Sequence, residues 1–498
     1  MKSVVVLLSL SLSLSVAAQG FGPEQVITDA ASDARSVYAT DIDGDGDADV
    51  LSASYTDFKV AWYENVGAGN GVSGGGFGPQ QVITNSAERP NDVYATDLDG
   101  DGDADVLSAS VLDDKIAWYE NLGGGTFGTQ QVITTSADSA WSVYATDLDG
   151  DGDADVLSAS SNDDKIAWYE NLGAGTFGAQ QVIAAGAIGA RSVYATDLDG
   201  DGDADVLSAS YYDNKIAWYE NLGSGTFGAQ QVITNSAALA HSVYATDLDG
   251  DGDADVLSAS TGDDKIAWYE NLGGGAFGAQ QVITTDAMGA KSVHAADLDG
   301  DGDADVLSAS EGDDKIAWYE NTGGGTFGAQ QVLTASADMA HSVYATDLDG
   351  DGDADVLSAS RNDSKVAWYE KLSLPWISGL TVSQVILDVH VDLTGGGAGE
   401  PYFVFYSMDP RNISRPGTGW LFGFYIPLHD VSWQLYHGLG GNPLFGGFLD
   451  CSGSRSATAH GSVPFLQGTT WSAIGVRQLP SGDYESSNIA SITIGYPL

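Results

Sequence analysis

The sequence predicts an all-β chain: a seven-bladed β-propeller followed by a C-terminal β-sandwich domain. Three observations carry this. The nonapeptide DLDGDGDAD begins at residues 97, 147, 197, 247, 297 and 347, with the variant DIDGDGDAD at 41. After a first spacing of 56 residues, every spacing is 50, and self-similarity at such a period marks a solenoid, a propeller or an array. Each period also holds four short β-branched or aromatic stretches, QQVIT, SVYATDL, ADVLSAS and KIAWYEN, bounded by Gly, Asp or Asn turns. Four strands per unit, repeated seven times, is the arithmetic of propeller blades. A parallel β-helix has much shorter repeats.

The chain opens with MKSVVVLLSLSLSLSVAAQG. Lys2, the apolar run from Val4 to Val16 and the small residues Val16-Ala17-Ala18 read as a secretory leader over residues 1–18, with cleavage expected after Ala18. The apolar run is diluted with serine and is shorter than the ~20 residues of a membrane span. No other segment could span a membrane. The expected location is therefore extracellular or at the cell surface. Cys451 is the only cysteine, which rules out an intramolecular disulfide, so stability must come from another source such as bound metal.

The propeller occupies residues 19–371. Its first unit opens with FGPEQVIT at 21–28, and its last ends in WYEK at 368–371 with no FG strand after it. Residues 21–28 are therefore expected to pair beside residues 365–370 and close the ring, which removes exposed sheet edges. The long first spacing falls in the glycine-rich stretch between Asn65 and Phe77, where it lengthens a loop. Trp62, Trp118, Trp168, Trp218, Trp268, Trp318 and Trp368 recur once per unit and are expected to pack between blades.

Residues 372–498 change character. The aspartate loops stop, and TVSQVILDVHVDL, PYFVFYSM, WLFGFYIPL, GGFLDCSGS, TTWSAIGVRQL and NIASITIGY appear between Gly and Pro turns. This pattern predicts the β-sandwich.

The formal charge is −52, with 70 acidic residues against 18 basic ones. Five aspartates in each of seven loops account for half of the acid. Such a chain lacks the basic patches that phosphate backbones require, so nucleic acid is excluded as a partner. With 43% hydrophobic and 10% aromatic residues it has ample material for a core, which excludes disorder.

Carboxylates at positions 1, 3, 5 and 9 of a tight loop, with Gly at 4 and 6, match a calcium site: hard oxygen ligands converge because glycine lets the backbone turn sharply. The candidate ligands are Asp41, Asp43, Asp45, Asp47 and Asp49 in the first loop. The second and third loops offer Asp97, Asp99, Asp101, Asp103, Asp105, then Asp147, Asp149, Asp151, Asp153 and Asp155. The fourth and fifth offer Asp197, Asp199, Asp201, Asp203, Asp205, then Asp247, Asp249, Asp251, Asp253 and Asp255. The last two offer Asp297, Asp299, Asp301, Asp303, Asp305, then Asp347, Asp349, Asp351, Asp353 and Asp355. In the second loop Asp97, Asp99, Asp101 and Asp105 would bind through side chains and Asp103 through its carbonyl. Without a cation, unit charges 4 Å apart repel by about 4 kcal/mol at an effective dielectric near 20. About seven structural calcium ions, one per blade, are expected; magnesium would demand strict octahedral geometry.

The DxDGDGxxD loop, the AWYENLG strand and the recurring FG resemble the FG-GAP/VCBS repeat family of extracellular proteins, over residues 21–371. That family is similar to the seven-bladed head of integrin α-subunits, where such loops bind calcium on the lower face. The resemblance implies a secreted, calcium-bound propeller used for adhesion, recognition or carbohydrate binding. Some members are joined to polysaccharide-degrading enzymes.

Two positions vary among otherwise near-identical repeats. One lies just before SVYATD: Arg35, Asn91, Trp141, Arg191, His241, Lys291 and His341. The other is the pair ahead of the third strand, such as Tyr55-Thr56, Tyr211-Tyr212, Glu311-Gly312 and Arg361-Asn362. In an up-and-down blade both sets emerge on the face opposite the aspartate loops. Arg35, Trp141, Arg191, His241, Lys291, His341, Tyr211 and Tyr212 are the candidate ligand-binding residues. Cationic and aromatic side chains suit sugar stacking and pairing with carboxylate or sulfate. The seven histidines form no metal-ligand motif, and no nucleophile–base spacing stands out. His429-Asp430 and Asp388/His390 are the polar pairs of the C-terminal region.

The reading is a monomeric, non-enzymatic recognition module for a glycan or a cell-surface protein. The alternatives are a polysaccharide-active lyase or hydrolase with the propeller as scaffold, and a purely structural surface protein.

Overall fold

The computed structural model describes residues 20–67 and 76–372, and strands between Thr418 and Thr493. The leader lies outside the described residues. The chain divides into two compact units, one within Val16–Pro375 and one from Trp376 onward.

The first blade is an antiparallel sheet of β2 (Ala34–Thr40), β3 (Asp49–Ser54), β4 (Lys59–Tyr63) and β5 (Gln81–Thr84), paired in that order. Five more blades repeat it with chain-consecutive strands. The seventh differs: its outer strand is β1 (Gln25–Thr28), which runs antiparallel to Lys365–Tyr369 with Gln25 opposite Trp368. A bridge between Phe21 and Lys371 and a 2.6 Å ion pair from Lys365 to Glu24 extend the seam. The two ends of the array are thus held by one strand's hydrogen bonds.

Seven apolar clusters each span two neighbouring blades. The last joins the ends of the ring, setting Leu348, Leu357 and Trp368 against Val37, Val50 and Tyr63. This explains why DVLSAS is buried throughout rather than alternately. Val50 faces the seventh blade and Leu51 and Ala53 face the second, so both faces of the strand are covered. The Ser52 hydroxyl in between lies 3.3 Å from that of Tyr63.

The repeated tryptophan fills the outer part of each junction. Trp118 is 3% exposed and meets Phe177 of the next blade edge-on, with ring centroids 6.3 Å apart. Gly175, at φ +63°, closes over the same ring, where a Cβ would lie 2.4 Å from it. The glycine is required by both backbone and space. On the inside, Tyr38, Tyr94, Tyr144, Tyr194, Tyr244, His294 and Tyr344 form a closed aromatic circle with successive centroids 4.6–5.0 Å apart.

In the second unit, Pro443–Phe448, Ser432–His437, Thr470–Ala473 and Ala490–Thr493 form one antiparallel sheet, in that order. Thr418–Leu421 pairs with Phe424–Pro427, and Val476–Gln478 with Tyr484–Ser486. The side-chain packing that a sandwich requires lies outside the described residues, as do Asp388, His390, His429 and Asp430. Among the described residues, no helix is long and apolar enough to cross a membrane.

Candidate metal centres and the opposite rim

Each aspartate loop joins the first and second strands of its blade. In the second blade, Gly100 and Gly102 adopt φ of +83° and +96°, which turns alternate carboxylates inward. The Asp97 carboxylate accepts the N–H groups of Gly100 at 2.7 Å and Gly102 at 3.0 Å. Asp99 accepts the N–H of Asp101, and Asp101 that of Asp103, each through its Oδ1. Asp97, Asp99 and Asp101 bring carboxylate oxygens within 4.8 Å of one another, as do Asp147, Asp149 and Asp155 in the third loop. Positions 1, 3 and 5 thus meet in the second loop, and positions 1, 3 and 9 in the third. This all-oxygen, like-charged donor set fits a hard divalent cation.

The ninth-position aspartate is the buried anchor. Asp105 is 0% exposed and accepts N–H from Leu98 at 2.9 Å and from Asn121 at 2.7 Å. Burial nevertheless pushes its carboxyl up to about 7 despite these donors, with Asp99 and Asp101 adding to the rise. Asp49, Asp155, Asp305 and Asp355 behave alike, and Asp205 and Asp255 are pushed up to about 6. A bound cation would offset the cost of that charge.

A second set of residues, Asn65, Asn121, Asn171, Asn221, Asn271 and Asn321, ties the loops together. Asn121 Nδ2 donates to the Ala104 carbonyl of its own loop at 3.1 Å and to the Ile42 carbonyl of the preceding blade's loop at 2.7 Å. The same cross-blade bond recurs from Asn171, Asn221, Asn271 and Asn321, and Asn65 makes it to Leu348 across the ring closure. The Asn of AWYEN, present in six of the seven repeats, was the available sequence signal, but its partner lies some 70 residues away along the chain, beyond any local pattern.

The variable residues stand at the other end of the inner strands. In every blade the register slips beside this residue, as between Ala140 and Ser142 around Trp141. Such a bulge re-aims one side chain, and here the seven converge. His241 lies 5.9 Å from Trp141 and 5.6 Å from His341, centroid to centroid. Asn91 donates to the Trp141 carbonyl at 2.8 Å. The Lys291 carbonyl accepts from His241 Nδ1 at 2.8 Å, and the Arg35 carbonyl from His341 Nδ1 at 2.7 Å. Burial holds both imidazoles well below their usual range, with neighbouring cations adding to the effect.

This convergence corrects the expectation of an open rim. Arg35, His241 and His341 are only 8%, 7% and 6% exposed, because the bulge turns them toward one another rather than outward. Most of the cations are already paired. Asp33 takes Arg35 at 3.1 Å and Arg361 at 2.7 Å, while Glu311 takes Lys291 at 2.9 Å and Arg361 at 3.0 Å. Arg191 differs. Its guanidinium lies 3.4 Å from the Trp141 ring centroid and 4.4 Å from that of Tyr211, no acidic side chain pairs with it among the described residues, and its Nε has no hydrogen-bond partner. Tyr212 beside it is 62% exposed.

Comparison with known proteins agrees with this architecture. The FG-GAP-like repeat matches at residues 41–108, 97–158, 147–208, 197–258, 247–308 and 297–358. No curated protein matches the sequence significantly. Among solved structures, BBS1N in complex with ARL6DN is similar at a TM-score of 0.50 and 11% identity, over 72% of this chain and 98% of the other. An Agrocybe aegerita lectin that specifically recognises non-reducing terminal N-acetylglucosamine gives 0.47 and 20%, over 65% and 85%. The V. cholerae biofilm matrix protein Bap1 gives 0.40 and 13%, over 74% and 90%. At these identities the likeness concerns the fold alone. With seven bladed repeats, each carrying its aspartate loop, and family matches spanning residues 41–358, the chain belongs to the FG-GAP-like repeat family.

Proposed function

We propose that the protein is a secreted recognition module, a calcium-braced propeller that binds an anionic glycan at the rim opposite its metal loops. The observation that carries this is the stack of Trp141, Arg191 and Tyr211. An arginine half-buried between two aromatic rings, with no acidic partner among the described residues, is costly to hold and supplies the donors that a carboxylate or sulfate accepts. The flanking rings, with exposed Tyr212, offer faces for sugar stacking, and Trp, Tyr and Arg are the residues in which binding energy concentrates.

Calcium, in this reading, is structural. Asp97, Asp99, Asp101 and Asp105, with their counterparts in the other six loops, would hold it and clamp the first two strands of each blade. The site is one for binding rather than for catalysis. The test is binding of the calcium-loaded protein to oligogalacturonate, a sulfated glycan and a neutral cello-oligosaccharide. Binding of an acidic glycan that is lost in Trp141→Ala and Arg191→Gln supports the reading. Equal binding by the variants, or no preference for acidic sugars, overturns it.

A further inference from the structure

The six asparagine bridges leave one junction out. At the position of Asn121 and its counterparts the seventh blade carries Lys371. Its backbone N–H keeps the usual bond, to Asp355 Oδ1 at 2.6 Å. Its side chain supplies no amide to the Leu298 carbonyl of the sixth blade's loop, the acceptor that the repeat places there. Instead, an ammonium enters the junction. Lys371 is 6% exposed and its Nζ has no hydrogen-bond partner. It lies 5.0 Å from the Phe21 ring centroid and 5.5 Å from that of Trp318. Burial lowers the pKa of this ammonium, and the carboxylates of Asp299, Asp305 and Asp297 in the sixth loop and Asp353 in the seventh oppose that.

We propose that Lys371 acts as a resident cation beside the sixth-blade loop, Asp297 to Asp305, which consequently binds its divalent ion more weakly than the other six. The inference rests on the calcium reading above and goes beyond it by making the seven sites unequal. Two effects act together. A fixed positive charge in a poorly solvated junction repels a dication at the neighbouring site, and the loop loses the bridge that elsewhere restrains its second residue. At surface-like dielectric and physiological salt, the charge alone is worth on the order of tenfold in affinity. The location also has a structural logic. Lys371 bridges to Phe21 where the ends of the repeat array meet, so the seam carries its own counter-charge and closes with less reliance on the metal.

The experiment is calcium titration of the full metal-stripped chain, read by calorimetry and equilibrium dialysis, with Lys371→Asn and Lys371→Met. Asn already occupies this position in the six other blades, so that variant has a working precedent for folding. The expected wild-type result is six sites of one class and one at least about tenfold weaker, set by the charge–charge repulsion above. Lys371→Asn should give seven of one class, and Lys371→Met, which removes only the charge, should strengthen the weak site. Seven equivalent sites in the wild type, or a weak site unchanged in both variants, would overturn the inference alone. No binding at any loop would overturn the calcium reading together with it.

Discussion

Replacing Asn171 with Ala tests whether the loops are coupled from blade to blade. The side chain is 0% exposed and donates to Leu98 O at 2.7 Å and Ala154 O at 3.1 Å, while its Oδ1 accepts from Gly173 N–H at 3.2 Å. Truncation leaves two carbonyls in the junction without their donor, and each such loss costs about 1–3 kcal/mol. The sum is about 2–6 kcal/mol, and the backbone N–H bond to Asp155 at 2.7 Å survives the change. With an unfolding entropy of about 2 cal/mol/K per residue, a unit of roughly 350 residues should melt about 3–9 °C lower. Trp118 and Trp168, which flank this junction, report the transition by fluorescence in saturating calcium. A shift of less than about 1 °C would refute the reasoning, because a buried bridge cannot vanish without leaving its acceptors unsatisfied.

The pH dependence of the metal-free protein follows from the ninth-position carboxyls. Asp49, Asp105, Asp155, Asp305 and Asp355 titrate at about 7 when folded, above their unfolded value. Their contribution is fully present below the unfolded pKa and is lost as pH rises through about 7. Metal-stripped protein should therefore melt at a lower temperature at pH 8 than at pH 5, and calcium should abolish or reverse the difference; equal melting temperatures without metal would contradict this. Trp168→Ala, at a fully packed junction with Phe227, should cost about 3–5 kcal/mol in denaturant unfolding. Trp141→Ala on the rim should cost much less in the same assay while abolishing glycan binding, and a comparable loss of stability would make Trp141 structural.

Much of the fold could be read from the repeats themselves. The fifty-residue period, the glycines at positions 4 and 6 and the alternate aspartates of Asp97 to Asp105 are local features, and local features survive in one dimension. Placing Trp118 between blades also followed from its recurrence. What the sequence did not reveal was the state of the variable residues. Arg35 and Lys291 read as free cations until the bulge before Ser36 and Ser292 set them beside Asp33 and Glu311. Asp33 and Glu311 belong to the loops entering the first strand and joining the second and third strands, and Glu311 has no acidic counterpart in any other repeat.

The sequence by itself therefore determined the number of blades, the strands within each and the carboxylate spacing of each aspartate loop, since all of these repeat within about fifty residues. The tertiary structure decided what happens between repeats: the Asn171-to-Leu98 bridges, the stacking of Arg191 on Trp141, and the placing of Lys371 beside the sixth loop. The physical reason is closure. A ring brings positions some 70 residues apart to within hydrogen-bond distance and brings the first strand against the propeller's last, so a single substitution acquires its meaning from neighbours the linear chain keeps far away.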